Sequence, residues 1–444
     1  MTIRRVEAPR CWATGKRRGQ SCAPVQHRRY RGGDHLGMRA HQEVLAAIQR
    51  ISNDLVQCRE GTGFNFCHDT SLDPESQGEP MRIAVIGGST AGLASALRLR
   101  QSGHEVSVFE RRSGTSTGGF GLLLTPSARQ GMRRIGVNLD SLGYPVEQSD
   151  IRDEDGRSIL SQGLHDTVGI ERAKLQDALL GALEPGILQL GKSFLGFESD
   201  PQGGARAAIF SDGTRVEADL FIGADGVRSN VRSSWTPGPA LRQVQSMELV
   251  GMYRGDAIPE ILNGRFLKFC RTEDGISIGL VPTSTECVTW YIQCDPRRWP
   301  ICLSPQEEKR AWLQEEVQRW PDPVAEIILG SDLNRTHLWR TTDRDLPINF
   351  HRSNVLLVGD AAHPLLTFTS QGTGSAIEDA LAIGDLLDHH VSRTPEPEQL
   401  DGILCEFSRH RIPILRARLQ MGRRMQSQFL NPTRRTQQIV PICS

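Results

Sequence analysis

The sequence predicts an α/β fold in which a parallel sheet is joined to a second, mostly antiparallel sheet and followed by helices. A strand, a glycine-rich turn, a helix and another strand follow one another from Met81 to Phe109. Alternating apolar runs separated by turn residues occupy the middle of the chain, at about 240–340, and the stretch 399–430 is helical and basic. A βαβ start implies a parallel sheet, whereas alternation is typical of antiparallel strands.

Length and composition exclude several classes of protein. The chain has 444 residues, enough for about two to three domains, with 38% hydrophobic and 23% charged residues and a formal net charge of zero. A neutral balance argues against nucleic acid as the main partner. No apolar run approaches the roughly 18 residues of a membrane span, and no secretory signal follows Met1, so a cytoplasmic location is predicted. The ten cysteines form no C-x-x-C pair, and no metal site is predicted.

The first eighty residues differ from the rest. The first forty are rich in arginine and poor in acids, and only the stretch 41–58 has apolar residues at helical spacing. This extension is open to three interpretations: a disordered tail, an organelle transit peptide, or a non-native start preceding Met81. In each case no catalytic role is predicted for it.

The elements after Met81 follow from their patterns. The first strand is short and apolar, the helix after it has an apolar face that includes Leu93 and Leu97, and Gly103 is placed to cap its end. The predicted elements are strands at 82–86, 105–109, 276–281, 287–294 and 354–358, and helices at 90–102, 374–387 and 399–430.

The first turn carries a dinucleotide fingerprint. Gly87 allows a tight turn, Gly92 allows close packing of helix on strand, and the helix N-terminus offers free N–H groups to a pyrophosphate. The middle position is Ser89, whose small side chain crowds the approach only slightly. Glu110, at the end of the next strand, is placed to accept hydrogen bonds from a ribose and disfavours a 2′-phosphate, so this turn predicts FAD or NAD.

Two later segments resemble further walls of the same site. Asp225 and Gly226 follow a strand and open a helix, and the carboxylate must act through water or a backbone donor because it would repel a pyrophosphate. Asp360 ends another strand and is placed to bond the ribityl hydroxyls, which FAD has and NAD lacks. Gln371 and Gly372 then begin a helix whose dipole points at the flavin, where it would stabilise the charge of the reduced ring.

The three segments together resemble those of the single-component flavoprotein aromatic hydroxylases, relatives of para-hydroxybenzoate, salicylate and urate hydroxylases. The resemblance runs from Met81 to about Leu387 and implies a Rossmann-like, glutathione-reductase-type FAD-binding domain with an inserted substrate domain. It implies that Gly119 to Gly121 pass near the flavin, that Arg172 contacts the cofactor, that the backbone at Phe194 touches the adenine, and that Asp225 and Gly226 serve both FAD and NAD(P)H. The chain departs from the family at Ser370, where glycine is usual, and at 365–369, where a second proline is common.

The resemblance fixes the expected boundaries and contacts. A discontinuous FAD-binding domain is expected at 81–146, 168–238 and 344–389, a substrate domain at 147–167 and 239–343, and a helical segment at 390–444. The expected cofactor contacts are Gly87, Ser89, Ala91, Gly92, Glu110, Arg111, Gly119, Gly121, Arg172, Phe194, Asp225, Gly226, Asp360, Pro364, Gln371, Gly372, Thr373 and Gly374.

The implied reaction is an oxygenation. NADPH or NADH reduces FAD, the reduced flavin forms a C4a-hydroperoxide with O2, and this species hydroxylates a small aromatic or heteroaromatic substrate. Arg254 and Tyr291, on strands of the middle domain, are the candidates for substrate contact, and His363 is interpreted as structural. A monomer or homodimer is expected.

Other functions remain open on the same fold. A flavin epoxidase or a reductase would use similar segments, and only the reductase would consume no oxygen. A halogenase is disfavoured because no Trp-x-Trp-x-Ile-Pro segment is present. A non-catalytic FAD-binding protein is a further alternative, which Glu110, Asp225 and Asp360 weigh against.

Overall fold

The strand that begins the βαβ pattern lies at the centre of a parallel sheet. A computed structural model of the protein describes residues 80–114, 119–271, 273–390 and 394–431, all within one unit, Asp73–Ser444. The predicted helical stretch at 41–58 lies outside the described residues.

Runs of consecutive strands are separated by helices along the described residues. The strands are β1 (Arg82–Ile86), β2 (Glu105–Glu110), β3 (Gly121–Leu124), β4 (Tyr144–Pro145), β5 (Gln148–Asp153), β6 (Ser158–Gly163), β7 (Val168–Glu171), β8 (Leu188–Leu190), β9 (Phe194–Ser199), β10 (Ala205–Phe210), β11 (Arg215–Glu217), β12 (Leu220–Gly223), β13 (Ser246–Arg254), β14 (Arg265–Arg271), β15 (Ile276–Pro282), β16 (Cys287–Cys294), β17 (His337–Thr341), β18 (His351–Arg352) and β19 (Val355–Leu357). The helices are α1 (Thr90–Gln101), α2 (Pro126–Arg134), α3 (Arg172–Gly181), α4 (Asn230–Ser234), α5 (Gln306–Glu316), α6 (Val324–Leu329), α7 (Gly372–His390) and α8 (Pro397–Leu430).

The first sheet has six strands in the order β18-β19-β12-β1-β2-β8. All neighbours are parallel except the edge pair β18–β19. Helices α1 and α7 pack against each other, and β1, β12 and β19 are almost entirely buried. Burial on both faces explains why these strands are continuous apolar runs rather than alternating ones.

The second sheet has seven strands in the order β17-β13-β16-β15-β14-β5-β6, antiparallel apart from the β14–β5 pair. Alternate residues such as Leu249, Ile278 and Trp290 enter an apolar core shared with α5 and α6. The other face carries the polar members of the same strands, as period-2 alternation requires. The predicted antiparallel middle region is therefore confirmed.

Two small antiparallel sheets, β11-β10-β9 and β3-β7-β4, complete the fold. The long helix α8 packs on α7 and contains Pro413. Among the described helices, none combines the length and apolar character that crossing a bilayer requires.

Candidate functional site

A cavity of about 920 Å³ lies where the two large sheets meet. One end is lined by Ser89, Ala224 and Asp360, which directly or closely follow β1, β12 and β19. The crevice beyond the carboxyl ends of parallel strands is where α/β sheets bind ligands. The other end is lined by the polar face of the seven-stranded sheet, including Glu248 and Tyr291.

The glycine-rich turn leaves no room for a Cβ atom at two of its positions. Gly87 has φ +117°, and a Cβ there would lie 2.3 Å from the Ala224 carbonyl oxygen. A Cβ on Gly92 would lie 1.8 Å from the Gly87 oxygen, so helix and strand could not pack as they do. Ser89 precedes α1 without capping it through its side chain. The first N–H groups of α1 are therefore available to an anion in the cavity.

Glu110 is held at the rim of this turn. Its carboxylate accepts hydrogen bonds from the backbone N–H groups of Gly88, at 2.7 Å, and Arg112, at 3.0 Å. Across the turn, Arg172 donates to the Ser89 hydroxyl at 3.4 Å. A carboxylate and a guanidinium thus lie on either side of the helix N-terminus, as a ribose and a phosphate would require.

Asp225 acts on the helix that follows it. One carboxylate oxygen, Oδ2, accepts from the N–H groups of Asn230, at 2.7 Å, and Val231, at 3.2 Å. The other oxygen, Oδ1, is buried without a hydrogen-bond partner in the described part of the chain. Gly226 has φ +86°, and a Cβ there would meet nothing within 4 Å. Gly226, which lines the cavity, therefore leaves open space there, while the Asp225 carboxylate orders the backbone at the start of α4.

The third segment packs on the first. A Cβ on Gly359 would lie 2.8 Å from the Ala91 side chain, so glycine is required at this contact. Asp360 remains exposed to the cavity. Loss of surrounding water raises the pKa of Asp360, and the positive charges of His363 and Arg172 oppose that rise. A carboxyl group of this kind can exchange hydrogen bonds with a polyol.

Helix α7 begins at the cavity wall, two residues earlier than predicted. Gln371, Gly372 and Thr373 line the cavity, and a Cβ on Gly372 would meet nothing within 4 Å. The preceding Ser370 adopts a left-handed backbone, with φ +54°. The N-terminal end of the helix dipole therefore faces the cavity, with open space in front of it.

A buried ionic network fixes the start of α7. Asp379 accepts hydrogen bonds from the Gly359 N–H and from the Arg411 guanidinium of α8, both at 2.8 Å, and its other partner is His363 Nε2 at 2.5 Å. Burial raises the pKa of Asp379, but His363 and Arg411 outweigh it and hold that pKa at about 2. His363 is only 2% exposed and lies behind the cavity wall, in keeping with the structural role predicted for it.

At the opposite end of the cavity lies a group of polar side chains, hereafter the polar patch, formed by Glu248, Lys268, Tyr291, Gln293 and Thr367. Glu248 Oε1 accepts from Gln293 Nε2 at 2.7 Å and from the Thr367 hydroxyl. Lys268 Nζ donates to Gln293 Oε1 at 3.5 Å. Burial and the charge of Glu248 raise the pKa of Tyr291 well above its usual value, so its phenol keeps its proton.

The structure brings half of the predicted residues into the lining of the cavity. Its lining includes Ser89, Ala91, Gly121, Arg172, Gly226, Tyr291, Asp360, Gln371, Gly372 and Thr373. Glu110 and Asp225 stand beside it through the contacts described above, and Gly374 and Pro364 are buried behind it. Gly119 has φ +158° and approaches the Arg172 side chain. Arg111 is exposed, and the Phe194 ring belongs to the apolar core, so the predicted backbone contact at Phe194 stays a prediction.

Arg254 is one of the two residues predicted to contact the substrate. It is not part of the cavity lining: its guanidinium forms an ion pair with Glu171 at 2.5 Å, and its side chain is 63% exposed. The cavity gives no support to its predicted contact with the substrate, which stays a prediction. Arg254 is the last residue of β13, so its side chain lies beyond the row that contains Glu248 and Val250.

Four members of the polar patch were not predicted as site residues: Glu248, Lys268, Gln293 and Thr367. Alternation gave a usable signal, because Gln293 lies two residues after Tyr291 and shares its face of β16. The neighbours across the sheet depend on register, which pairs Glu248 with Gln293 and places Lys268 and Tyr291 on either side of Gly279.

Away from the cavity, His351, Asp401 and Cys405 bring three groups that could bind a metal within 4.8 Å of one another. His351 Nε2 lies 3.2 Å from Asp401 Oδ1 and so joins β18 to α8. This contact accounts for the grouping, and no ligand role is assigned to it.

The cavity fits FAD on structural grounds. The open space at Gly226 and Gly372 and the free helix N-termini of α1 and α7 are features that a dinucleotide with a flat ring would use. The carboxylates of Glu110, beside the first turn, and Asp360, in the lining, are acceptors of the kind that ribose and polyol hydroxyls require.

Comparison with known proteins agrees with this geometry. A family model described as an FAD binding domain matches residues 81–414. The 3-amino-4-hydroxybenzoate 2-monooxygenase PtnB3 of Streptomyces platensis is 30% identical over 330 residues, covering 69% of this chain and 79% of that protein. Salicylate hydroxylase of Pseudomonas putida is 29% identical over 353 residues, covering 69% and 77%. The crystal structure of Klebsiella pneumoniae HpxO with FAD and uric acid shares the fold, with a TM-score of 0.69, 23% identity and coverage of 79% and 89%.

Proposed function

Because this chain belongs to the single-component FAD-dependent aromatic hydroxylases, we propose that its cavity holds FAD at one end and a small aromatic or heteroaromatic substrate at the other. The chain is an FAD-dependent monooxygenase that uses NAD(P)H and O2. The observation that carries the assignment of the two ends is the continuity of the cavity from the Gly/Asp segments to the polar patch.

Different residues of the cavity would bind different parts of FAD. Glu110 suits the adenosine ribose, the first turn of α1 and Arg172 suit the pyrophosphate, and Asp360 suits the ribityl chain. The N-terminus of α7, at Gln371 and Gly372, suits the flavin ring. When bound, the flavin carries electrons from NAD(P)H to O2 and activates oxygen for insertion into the substrate.

The remaining work of the protein is positioning and exclusion of water. Phe120, Trp339 and Phe368 line the cavity beside the polar patch, and their rings offer apolar surface to an aromatic substrate. Surroundings that exclude water protect the reactive intermediates of an oxygenation from hydrolysis. The relatives named above act on aromatic acids according to their names, which makes such compounds the first probes to use.

The proposal is tested by purifying the full chain, confirming bound FAD, and measuring NAD(P)H oxidation and O2 uptake with aromatic acids, phenols and heteroaromatic compounds. We expect one or more of these to stimulate both rates in parallel and to yield a hydroxylated product. Stimulated NAD(P)H oxidation without O2 uptake would indicate a reductase. Bound FAD with no stimulation by any compound would favour the non-catalytic alternative.

Two further proposals accompany this assignment. We retain a cytoplasmic location and a monomer or homodimer as predictions. Fractionation of native cells and light scattering of the purified chain are the measurements that check them.

A further inference from the structure

The polar patch contains a lysine, Lys268, that forms no direct ion pair in the described part of the chain, because Gln293 lies between its Nζ and the Glu248 carboxylate. Lys268 is half-buried on β14, with its Nζ 6.0 Å from the ring centres of both Tyr291 and Phe368. Its hydrogen bond in the described part of the chain is the long one to Gln293, at 3.5 Å, and the Glu248 carboxylate interacts with its charge from the far side of Gln293. A cation in partly apolar surroundings is best stabilised by an anion, and the open cavity in front of it has room for one.

Glu248 lies in the adjacent row of side chains on the same sheet, and it requires a different kind of ligand group from Lys268. It is 5% exposed and lines the cavity, and both of its hydrogen bonds in the described structure are accepted by Oε1. Burial raises the pKa of Glu248, while Thr367, Lys268 and Gln293 act in the opposite direction. A ligand group that donates a hydrogen bond to Oε2 would favour the charged form, whereas an anion placed there would be repelled.

The register of the sheet keeps these two requirements apart. Glu248 pairs with Gln293, and Lys268 stands in the neighbouring row across Gly279 from Tyr291. A Cβ on Gly279 would lie 2.2 Å from the Tyr291 ring, so that ring covers Gly279, and Gln293 stands between Lys268 and Glu248. A single anionic group cannot satisfy both ends of the patch.

Resting on the proposed function, we propose that the substrate is an aromatic ring carrying two distinct groups: an anion bound by Lys268, and a separate O–H or N–H donor bound by Glu248. Lys268 and Glu248 are then the residues that determine specificity. Gln293 contacts both side chains and fixes their separation, and the neighbouring Tyr291 keeps its hydroxyl proton and can donate to the same ligand.

The test measures equilibrium binding rather than turnover. Dissociation constants of 3-aminobenzoate, benzoate and aniline are obtained from the change in flavin absorbance of the FAD-loaded full chain. 3-Aminobenzoate carries both groups, benzoate carries the anion alone, and aniline carries the donor alone. The unmodified chain should bind 3-aminobenzoate about tenfold more tightly than either of the others, because each charge-assisted hydrogen bond contributes about that factor.

Two variants separate the two contacts. In Lys268→Met the ratio of the dissociation constant of aniline to that of 3-aminobenzoate should fall towards one. The ratio of the dissociation constant of benzoate to that of 3-aminobenzoate should be kept. In Glu248→Gln the preference over benzoate should fall instead. Lys309→Met and Glu398→Gln make the same chemical changes on α5 and α8, outside the cavity lining, and should leave all three constants unchanged.

The outcomes distinguish this inference from the proposed function. If the chain binds FAD and hydroxylates a substrate but Lys268→Met leaves the preference over aniline intact, the substrate assignment is overturned and the function stands. Failure of the unmodified chain to prefer 3-aminobenzoate also overturns it. Loss of bound FAD in the unmodified chain would instead contradict the proposed function itself.

Discussion

Ser370 holds a left-handed backbone conformation immediately before the helix that faces the proposed flavin position. A residue with a Cβ is strained there by roughly 1 to 2 kcal/mol, and glycine is not. We expect Ser370→Gly to raise the free energy of unfolding by about 0.5 to 1 kcal/mol, after the extra entropy of glycine in the unfolded chain is subtracted. Chemical denaturation of the FAD-loaded protein measures this change.

Ser158→Gly provides the comparison, because Ser158 is an exposed residue at the start of β6 without positive φ. There glycine should lower stability by about 0.5 kcal/mol. Equal effects of the two substitutions would show that the conformation of Ser370 carries no strain.

Glu110 is the residue on which the ribose assignment depends. Its carboxylate already orders the backbone at Gly88 and Arg112, so Glu110→Gln weakens both the shape of the turn and its acceptor strength. We expect the dissociation constant of FAD to increase about tenfold, since a charged acceptor contributes roughly 1.5 kcal/mol more than a neutral one. Titration of the FAD-free protein by flavin fluorescence measures it. Glu105→Gln, at the exposed start of the same strand, should have no effect, and equal constants for both variants would refute the ribose contact.

At the scale of elements, the position of α7 depends on α8. Arg411 is 5% exposed and donates to Asp379, Glu378 and the Ser375 carbonyl. We expect Arg411→Met to destabilise the protein by about 3 kcal/mol, because it removes the guanidinium that pairs with the buried Asp379 carboxylate. Arg418→Met removes a more exposed cation from Glu378 alone and should cost less. Thermal unfolding of both variants checks the order, and a larger loss for Arg418→Met would contradict it.

The same network predicts a response to acid. The pKa of Asp379 is about 2 in the folded protein, below its ordinary value of 3.8. A carboxyl with a depressed folded-state pKa stabilises the fold above its unfolded value and loses that contribution as pH falls towards 2. Arg411→Met removes one of the charges that depress this pKa, so acid unfolding followed by circular dichroism should begin at a higher pH in the variant. An unchanged onset would show that Asp379 does not govern acid stability.

Some elements and site residues could be predicted from the sequence and others could not. Strand β1, helix α1 and the residues Gly87, Gly92 and Glu110 were predictable because their constraints are local: a tight turn, a close contact and a strand end. The positions of Arg254 and Lys268 relative to the cavity were not predictable. Alternation in the sequence places a residue on one face of a strand, but it does not show which positions along that strand line a cavity. The left-handed Ser370 was unpredictable for another reason, since serine carries no signal for that conformation.

At the scale of the whole molecule, the cavity depends on how tightly the sheets meet. A Cβ on Gly169 of β7 would lie 1.9 Å from the Pro282 carbonyl oxygen of β15, and the Gly121 N–H donates to the Thr289 hydroxyl of β16 at 2.6 Å. The small sheet β3-β7-β4 is therefore fastened to the seven-stranded sheet by backbone contact. Since Phe120 directly precedes β3 and Arg172 directly follows β7, this junction also positions two residues of the cavity lining.

The described cavity residues and both large apolar cores lie between Met81 and Leu430, and the matching family model begins at residue 81. We therefore expect a chain that begins at Asp73, the start of the unit containing them, to bind FAD with the dissociation constant of the full chain and to unfold at the same temperature. Both are measured side by side, with FAD in excess so that ligand binding stabilises the two proteins equally. A weaker affinity or a lower unfolding temperature in the shortened chain would assign residues 1–72 a part in the fold or in the cofactor site, and equal values would assign both to the residues described.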